Sequence, residues 1–129
     1  MKVLLVDRFP ALYSLVEQGF RDAGAEVERC ELPDGAARSL HQSDLREISQ
    51  HFRGKDLAVY IADEVGFGDA GGPALRQVTS WAARELVPVI IMASVCRIST
   101  RELRILGVEA GYDVATEEDV RRVVQTWVR

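Results

Sequence analysis

The residues that decide the fold are residues 1–9, MKVLLVDRF. Within them, residues 3–6 form an unbroken apolar run that leads directly into Asp7, and a helical pattern begins immediately afterwards. An apolar run without polar alternation is typical of a strand that is buried on both faces of a parallel sheet. Asp7 is therefore predicted at the carboxyl end of a central strand, which is the edge where open α/β sheets bind ligands.

The same strand-then-helix pattern recurs along the rest of the chain. Four further strands are predicted at residues 26–32, 56–63, 88–94 and 112–115, with helical segments between them. Alternation of this kind predicts an α/β fold in which helices cover both faces of a parallel sheet. Five strands favour the flavodoxin-like strand order 2-1-3-4-5, and we expect residues 1–129 to form a single domain.

Local signals mark where the helices begin and which side chains they bury. Ser99 with Glu102, and Thr116 with Asp119, have the spacing of capping boxes. A turn at residues 33–35 and a broken helical segment after it separate the second and third strands. The helix after the third strand is predicted to turn these side chains towards the core: Ala74, Leu75, Val78, Trp81, Ala82 and Leu86.

The composition limits the classes of function. The 129 residues are 47% apolar and 28% charged, as in a globular domain, and the formal net charge of −4 argues against direct binding of nucleic acid. No apolar run approaches the roughly 20 residues that span a bilayer, and the first strand does not resemble a signal peptide. We therefore expect a cytoplasmic protein that does not contact membranes.

Three segments resemble the receiver domain of two-component response regulators, the CheY-like family. They are residues 2–24 (KVLLVDRFPALYSLVEQGFRDAG), residues 88–94 (PVIIMAS) and residues 105–115 (ILGVEAGYDVA). The resemblance implies the flavodoxin-like fold and a site at the carboxyl ends of the strands. In such a site, acids after the first strand hold Mg²⁺, and an aspartate ending the third strand accepts a phosphoryl group. A hydroxyl side chain follows the fourth strand, and a lysine follows the fifth.

The positions that would carry this chemistry match the family only in part. Asp7 matches one acid of the first strand, but its neighbour is Arg8, and Asp63 matches the phospho-acceptor as the acid that ends the third strand. The hydroxyl position falls on Ala93 or Ser94, and either Ala115 or Thr116 stands where the lysine would be. The resemblance thus implies a pocket formed by these residues: Asp7, Arg8, Asp63, Glu64, Ser94 and Thr116.

These departures change the chemistry that we expect at the pocket. Mg²⁺ prefers carboxylate and water oxygens, and an arginine cannot lose its proton to become a ligand. We expect Arg8 to form an ion pair with an acid of the pocket instead. We therefore predict a degenerate receiver, a pseudo-receiver that works by binding rather than as an enzyme and needs no cofactor. Mg²⁺ held by Asp7 and Asp63 is the alternative left open.

A second hypothesis starts from the loop after the third strand. Gly66, Gly68, Gly71 and Gly72 lie in a stretch that contains a GxGxxG pattern and precedes a helix. Glycines at a helix start allow backbone N–H groups to approach a phosphate. The loop would then serve a small phosphate- or nucleotide-binding enzyme together with the acids that end the first and third strands. Two features weaken this hypothesis: the loop contains an acidic residue, and the loop follows the third strand rather than the first.

The resemblance also implies a surface for protein partners. Receivers commonly associate through the face formed by their fourth helix, fifth strand and fifth helix. In this chain that face would carry these side chains: Arg101, Arg104, Tyr112, Asp113, Arg121, Arg122 and Trp127. We therefore expect a stand-alone signalling domain that binds a protein partner or forms a homodimer, while a module of a longer protein is the alternative.

Overall fold

Five parallel strands form a single sheet in the computed structural model, which describes residues 1–31, 48–66 and 72–128. The strands are β1 (Lys2–Asp7), β2 (Glu26–Glu31), β3 (Leu57–Val65), β4 (Val89–Cys96) and β5 (Ala110–Asp113). Their spatial order is β2-β1-β3-β4-β5, and every neighbouring pair is parallel. The predicted α/β class and the strand order 2-1-3-4-5 are confirmed.

Four helices are described between and after the strands. They are α1 (Pro10–Asp22), α2 (Gly72–Arg84), α3 (Thr100–Leu106) and α4 (Glu117–Trp127). The predicted turn at residues 33–35, and the part of the helical segment before residue 48, lie outside the described residues. None of the helices in the described ranges is long and apolar enough to cross a membrane.

Strand β1 is the central strand that its apolar run predicts. Its side chains from Val3 to Val6 are almost completely buried, and the strand lies between β2 and β3. Successive side chains point to opposite faces, so Val3 and Leu5 enter one hydrophobic cluster while Leu4 and Val6 enter the other. Helices α1 and α4 cover the first cluster, and α2 covers the second, which confirms helices on both faces.

The carboxyl ends of the strands differ from the prediction. Strands β3 and β4 each continue two residues beyond the predicted end, because the ladder pairs Glu64 with Val95 and Val65 with Cys96. Backbone groups make these ladder bonds, so the charged side chains of Asp63 and Glu64 can stay in solvent while the strand continues. Strand β5 begins and ends two residues earlier than predicted.

Helix ends follow the predicted capping signals. Both predicted capping boxes are present: the Ser99 hydroxyl accepts a hydrogen bond from the Glu102 N–H, and the Thr116 hydroxyl accepts one from the Asp119 N–H, each at 3.2 Å. Pro10 occupies the start of α1, where its missing N–H removes no helical hydrogen bond.

Leu86 is a correction to the predicted core. The other five side chains predicted for α2 are buried, but Leu86 is 91% exposed. Helix α2 ends at Arg84, and Leu86 takes a left-handed backbone conformation with φ of 57°, which turns its side chain outwards. The helical periodicity does not apply to Leu86, because this residue lies beyond the end of α2.

Replacing Leu86 with glycine should stabilise the protein although it removes a large apolar side chain. Glycine adopts positive φ without the steric cost that a Cβ imposes, and the lost side chain makes few contacts. We expect the free energy of unfolding, measured in urea, to rise by about 0.5 to 1 kcal/mol. Leu86→Ala is the matched control and should give no gain, because it keeps the Cβ. A loss of stability in Leu86→Gly would contradict this reading.

Gly19 sets how closely α1 approaches α4. A Cβ on Gly19 would lie 2.5 Å from Cγ1 of Val120 and 3.5 Å from Cγ2 of Val124, and both valines are buried. The absence of a side chain at Gly19 therefore allows the two helices to pack against each other. Beside this contact, the two helices border an open groove of about 710 Å³.

A valine at position 19 should force the two helices apart. Overpacking of this kind costs about 1 to 3 kcal/mol in the free energy of unfolding. Urea denaturation of Gly19→Val measures the loss. Ser14→Val carries the same β-branched residue at an exposed position of the same helix and should cost much less. Equal losses in the two variants would show that helix propensity, and not the contact with Val120, is responsible.

Candidate functional site

Asp7 is a charged side chain in the interior of the sheet's carboxyl edge. Its exposed fraction is 3%, and it is the single charged residue among the buried residues that the structure describes. The strand register places Asp7 between Glu31 of β2 and Ile61 of β3. Its side chain points to the same face as Leu5, the face that α1 covers.

The partner of Asp7 is an arginine of the neighbouring edge strand. Nε and Nη2 of Arg29 donate to the same oxygen, Oδ2 of Asp7, at 3.1 and 2.6 Å. The other oxygen, Oδ1, accepts the backbone N–H of Phe9 at 3.0 Å, which fixes the turn into α1. Both oxygens of the buried carboxylate therefore have hydrogen-bond donors from the chain itself.

Helix α1 closes over the guanidinium of Arg29. The carbon Cζ of Arg29 lies 4.3 Å from the ring centroid of Tyr13, and the Tyr13 hydroxyl donates to Glu17 at 2.7 Å. On the outer side, Nη2 of Arg29 lies 2.8 Å from a carboxylate oxygen of Glu31. We call these five residues, Asp7, Tyr13, Glu17, Arg29 and Glu31, the Asp7 cluster.

The cluster keeps Tyr13 neutral and Arg29 charged. Burial raises the pKa of Tyr13, and the hydrogen bond and negative charge of Glu17 raise it further. The hydrogen bond to Asp7 raises the pKa of Arg29 above its already high value. Tyr13 therefore acts as a hydrogen-bond donor, and Arg29 as a fixed positive charge, across the physiological pH range.

The predicted acids of the third strand lie further along the sheet edge than Asp7 does. Asp63 and Glu64 are exposed on the strand extension, while the residue level with Asp7 on β3 is the buried Ile61. The premise that Asp63 ends the third strand is wrong, since β3 runs to Val65. Asp63 lies two positions after Ile61, about 6.6 Å further along β3. A role for Asp63 as phospho-acceptor stays a prediction.

The remaining predicted pocket residues have local roles. The backbone N–H of Arg8 donates to the carbonyl of Ile61 at 3.0 Å, and its side chain is half-buried. Ser94 is half-buried on the extension of β4, and Thr116 caps α4. The strands thus bring the residues of this edge into one region, but Arg29 is the residue that engages Asp7.

The donor set at Asp7 does not fit a divalent cation. Mg²⁺ takes oxygen ligands in near-octahedral geometry, whereas Oδ2 of Asp7 already accepts two charged N–H groups. Across the described residues, no group of three or more histidine, cysteine or acidic side chains is arranged to hold a metal ion. The predicted alternative of Mg²⁺ at Asp7 and Asp63 has no support from this arrangement.

The glycine loop is only partly described. Gly66 is half-buried directly after β3, and Gly72 begins α2, while Gly68 and Gly71 lie outside the described residues. Nothing in the described part brings this loop to Asp7. The alternative of a phosphate- or nucleotide-binding enzyme is not favoured by the structure or by the comparisons below.

The predicted partner surface is partly exposed. Arg101, Arg104 and Arg121 are exposed, and Arg121 makes surface ion pairs within α4. Tyr112 and Trp127 are half-buried, and the Trp127 indole N–H donates to the Tyr112 hydroxyl at 2.8 Å. These two aromatic side chains join β5 to α4. The prediction missed Ile105, whose side chain is 75% exposed beside Arg101 and Arg104 on α3.

Solved structures of response regulators share this fold. One is an atypical orphan response regulator described as having a phosphorylation-independent regulatory mechanism (TM-score 0.60, 16% identity, 100% of this chain and 96% of the other covered). Another is an orphan response regulator of H. pylori (TM-score 0.56, 13% identity, coverage 100% and 97%). A third is the chemotaxis protein CheY4 of Vibrio cholerae (TM-score 0.57, 21% identity, coverage 98% and 97%).

These similarities establish the receiver fold for the chain. No protein-family model matches the sequence. None of the curated proteins compared with it matches either. The predicted likeness to CheY-like receivers, including atypical ones, is thus confirmed at the level of three-dimensional structure.

Arg29 and Tyr13 are the residues of the Asp7 cluster that carry the least signal in the sequence. The signal available for Arg29 is that it is the single basic residue of the predicted second strand, residues 26–32. The register between β1 and β2 brings the side chains of Asp7 and Arg29 together, and the sequence of neither strand alone determines this register. Tyr13 lies in the helix that follows the first strand, and helical periodicity carries no signal for its contact with a charge.

The structure assigns Thr116 a capping role, which a substitution can test. Thr116→Ala removes the hydroxyl that accepts the Asp119 N–H, and we expect a loss of about 1 kcal/mol in the free energy of unfolding. Thr116→Ser keeps the hydroxyl and should retain most of the stability. Urea unfolding followed by circular dichroism compares the three proteins. Wild-type stability in Thr116→Ala would contradict the cap.

Proposed function

We infer that this chain is an atypical receiver-like domain that signals in the cytoplasm through contacts with a protein partner or a second copy. It does so without Mg²⁺-dependent phosphorylation of an aspartate. The observation that supports this most strongly is the pairing of Asp7 with Arg29, because it commits the buried acid of the sheet edge to a cation from the chain.

Phosphorylation of a carboxylate needs positive groups around the transferred phosphoryl group. A divalent cation and fixed donors stabilise the charge that develops on its oxygens. Beside Asp7, strand β3 presents the apolar Ile61, and the nearest acid on that strand is the exposed Asp63. An acceptor at Asp63 would lie outside the enclosed part of the edge, where water screens any stabilising charge.

The distribution of lysines supports the same proposal. The chain has two lysines, Lys2 and Lys55. Lys2 begins β1, and Lys55 lies two residues before β3, so both occupy the amino edge of the sheet. The Lys55 ammonium also lies 3.3 Å from Glu28 there. No lysine of this chain is available at the carboxyl edge to sense a phosphoryl group.

A partner surface is proposed on the outer side of α3. This helix has no fully buried residue, and its exposed side presents the apolar Ile105 beside Arg101 and Arg104. Interfaces are enriched in arginine and large apolar side chains at the expense of lysine and acids. The net charge of −4 and the local pairing of Arg121 with acids of α4 do not favour nucleic acid as the partner.

Incubation with acetyl phosphate, or with beryllofluoride, in the presence of Mg²⁺ tests the proposal. We expect no covalent phosphorylation by intact-protein mass spectrometry and no change in oligomeric state by light scattering. The physical reason is that the edge offers neither an accessible cation site at Asp7 nor a lysine. A typical receiver treated in parallel is the positive control for the phosphodonor.

The outcome that would overturn the proposal is stoichiometric phosphorylation with a shift in oligomeric state. Asp63→Asn identifies the acceptor, since a signal that disappears in this variant would establish a phospho-switch at Asp63. Glu64→Gln changes the neighbouring exposed acid on the same strand and is the matched control.

A further inference from the structure

The Asp7 cluster does not fit a divalent cation, and this leads to an inference about Arg29. We propose that Arg29 is a tethered cation: its guanidinium permanently neutralises Asp7, and so holds the carboxyl edge of the sheet in one charge state. This inference deepens the proposed function and rests on it for its meaning in signalling, but its test uses no phosphodonor.

The burial of Asp7 makes a counter-charge obligatory. An ionised carboxylate in the interior is strongly unfavourable unless it is paired and hydrogen-bonded. Asp7 has 3% of its surface exposed, and the two N–H groups of Arg29 reach one of its oxygens at 3.1 and 2.6 Å. The backbone N–H of Phe9 occupies the other oxygen. Arg29 therefore supplies the positive charge that folding around Asp7 requires.

The chemistry of arginine makes this neutralisation permanent. A guanidinium does not lose its proton in proteins, and its planar fork directs two donors at one carboxylate. Arg29 is also attached to the chain, so it cannot exchange with solvent as a bound ion does. Because Glu31 lies 2.8 Å away on the outer side, the guanidinium is held between two carboxylates.

The geometry also makes Arg29 a positioning residue for three elements. Arg29 lies on β2 opposite Leu5, its guanidinium reaches Asp7 at the end of β1, and its Cζ lies over the Tyr13 ring of α1. An exchangeable ion at this edge would allow the start of α1 to respond to occupancy. A tethered cation removes that response, which agrees with a domain whose signal comes from its partner contacts.

A double-mutant cycle tests the tethered cation. Arg29→Met removes the charge and keeps an aliphatic chain against Tyr13, Asp7→Asn removes the opposite charge, and the third variant combines the two. We expect Arg29→Met alone to lower the urea midpoint by roughly 1 M, because it leaves Asp7 charged and buried without its partner. The double variant should regain much of this loss, since it has no charge left to neutralise.

Arg53→Met is the matched control for the loss of a surface arginine. Arg53 is 75% exposed and lies 3.8 Å from Glu85, so its removal should leave the midpoint almost unchanged. Arg29→Met behaving like Arg53→Met, or a double variant that loses the sum of the two single losses, would overturn the inference. If Arg29→Met fails to fold, recovery of folded protein in the double variant supports it, and an unfolded double variant contradicts it.

Titration with millimolar MgCl2 completes the test. Wild-type protein should show no rise in its urea midpoint, because Arg29 already holds Asp7. Stabilisation of the wild type by Mg²⁺ that disappears in Asp7→Asn would overturn the tethered cation. Failure of the inference and failure of the proposed function remain distinguishable. Phosphorylation of the wild type contradicts the proposed function alone. Absence of coupling between Asp7 and Arg29 contradicts the tethered cation alone.

Discussion

The ion pair between the buried Asp7 and the partly exposed Arg29 is the interaction on which the rest of this carboxyl edge depends. A charged side chain on a central strand fixes the strand register, because a shift of one residue would turn Arg29 to the opposite face. It also fixes where α1 begins, since the second carboxylate oxygen holds the turn at Phe9. An apolar pair of similar volume would often give equal or greater stability. The contacts of the ion pair link β1, β2 and α1 at this edge.

The receiver frame of this chain does not depend on the groups that carry receiver chemistry. The frame depends on burial: apolar runs in β1, β3 and β4, two hydrophobic clusters and helices capped by Ser99 and Thr116. None of these features requires a cation site or a lysine at the carboxyl edge. The same sheet can therefore keep its order and its packing after the reactive groups have been replaced. A fold positions a site but does not determine what the site does.

Much of the fold was predictable because its signals are local. Apolar runs, capping boxes and the alternation of elements each depend on a few neighbouring residues, and together they predict the strand order. The failures concern tertiary geometry. Strand β3 continues past Asp63 because β4 provides ladder partners, and Leu86 turns outwards because α2 ends before it. The arginine that pairs with Asp7 lies 22 residues later on the adjacent strand, where only the strand register brings it close.

A cation that belongs to the chain changes how such a domain can be regulated. An edge whose charge depends on a bound ion, or on a phosphoryl group, has two states, and a ligand can shift the population only by binding them unequally. When Arg29 neutralises Asp7 at all times, the edge has a single charge state, and no second state exists for a ligand to select. Under the proposed function, regulation acts on the association itself, through the concentration of the partner or through competition for α3. In that case the exposed Ile105 and its neighbouring arginines matter more for the signal than any acid of the sheet edge.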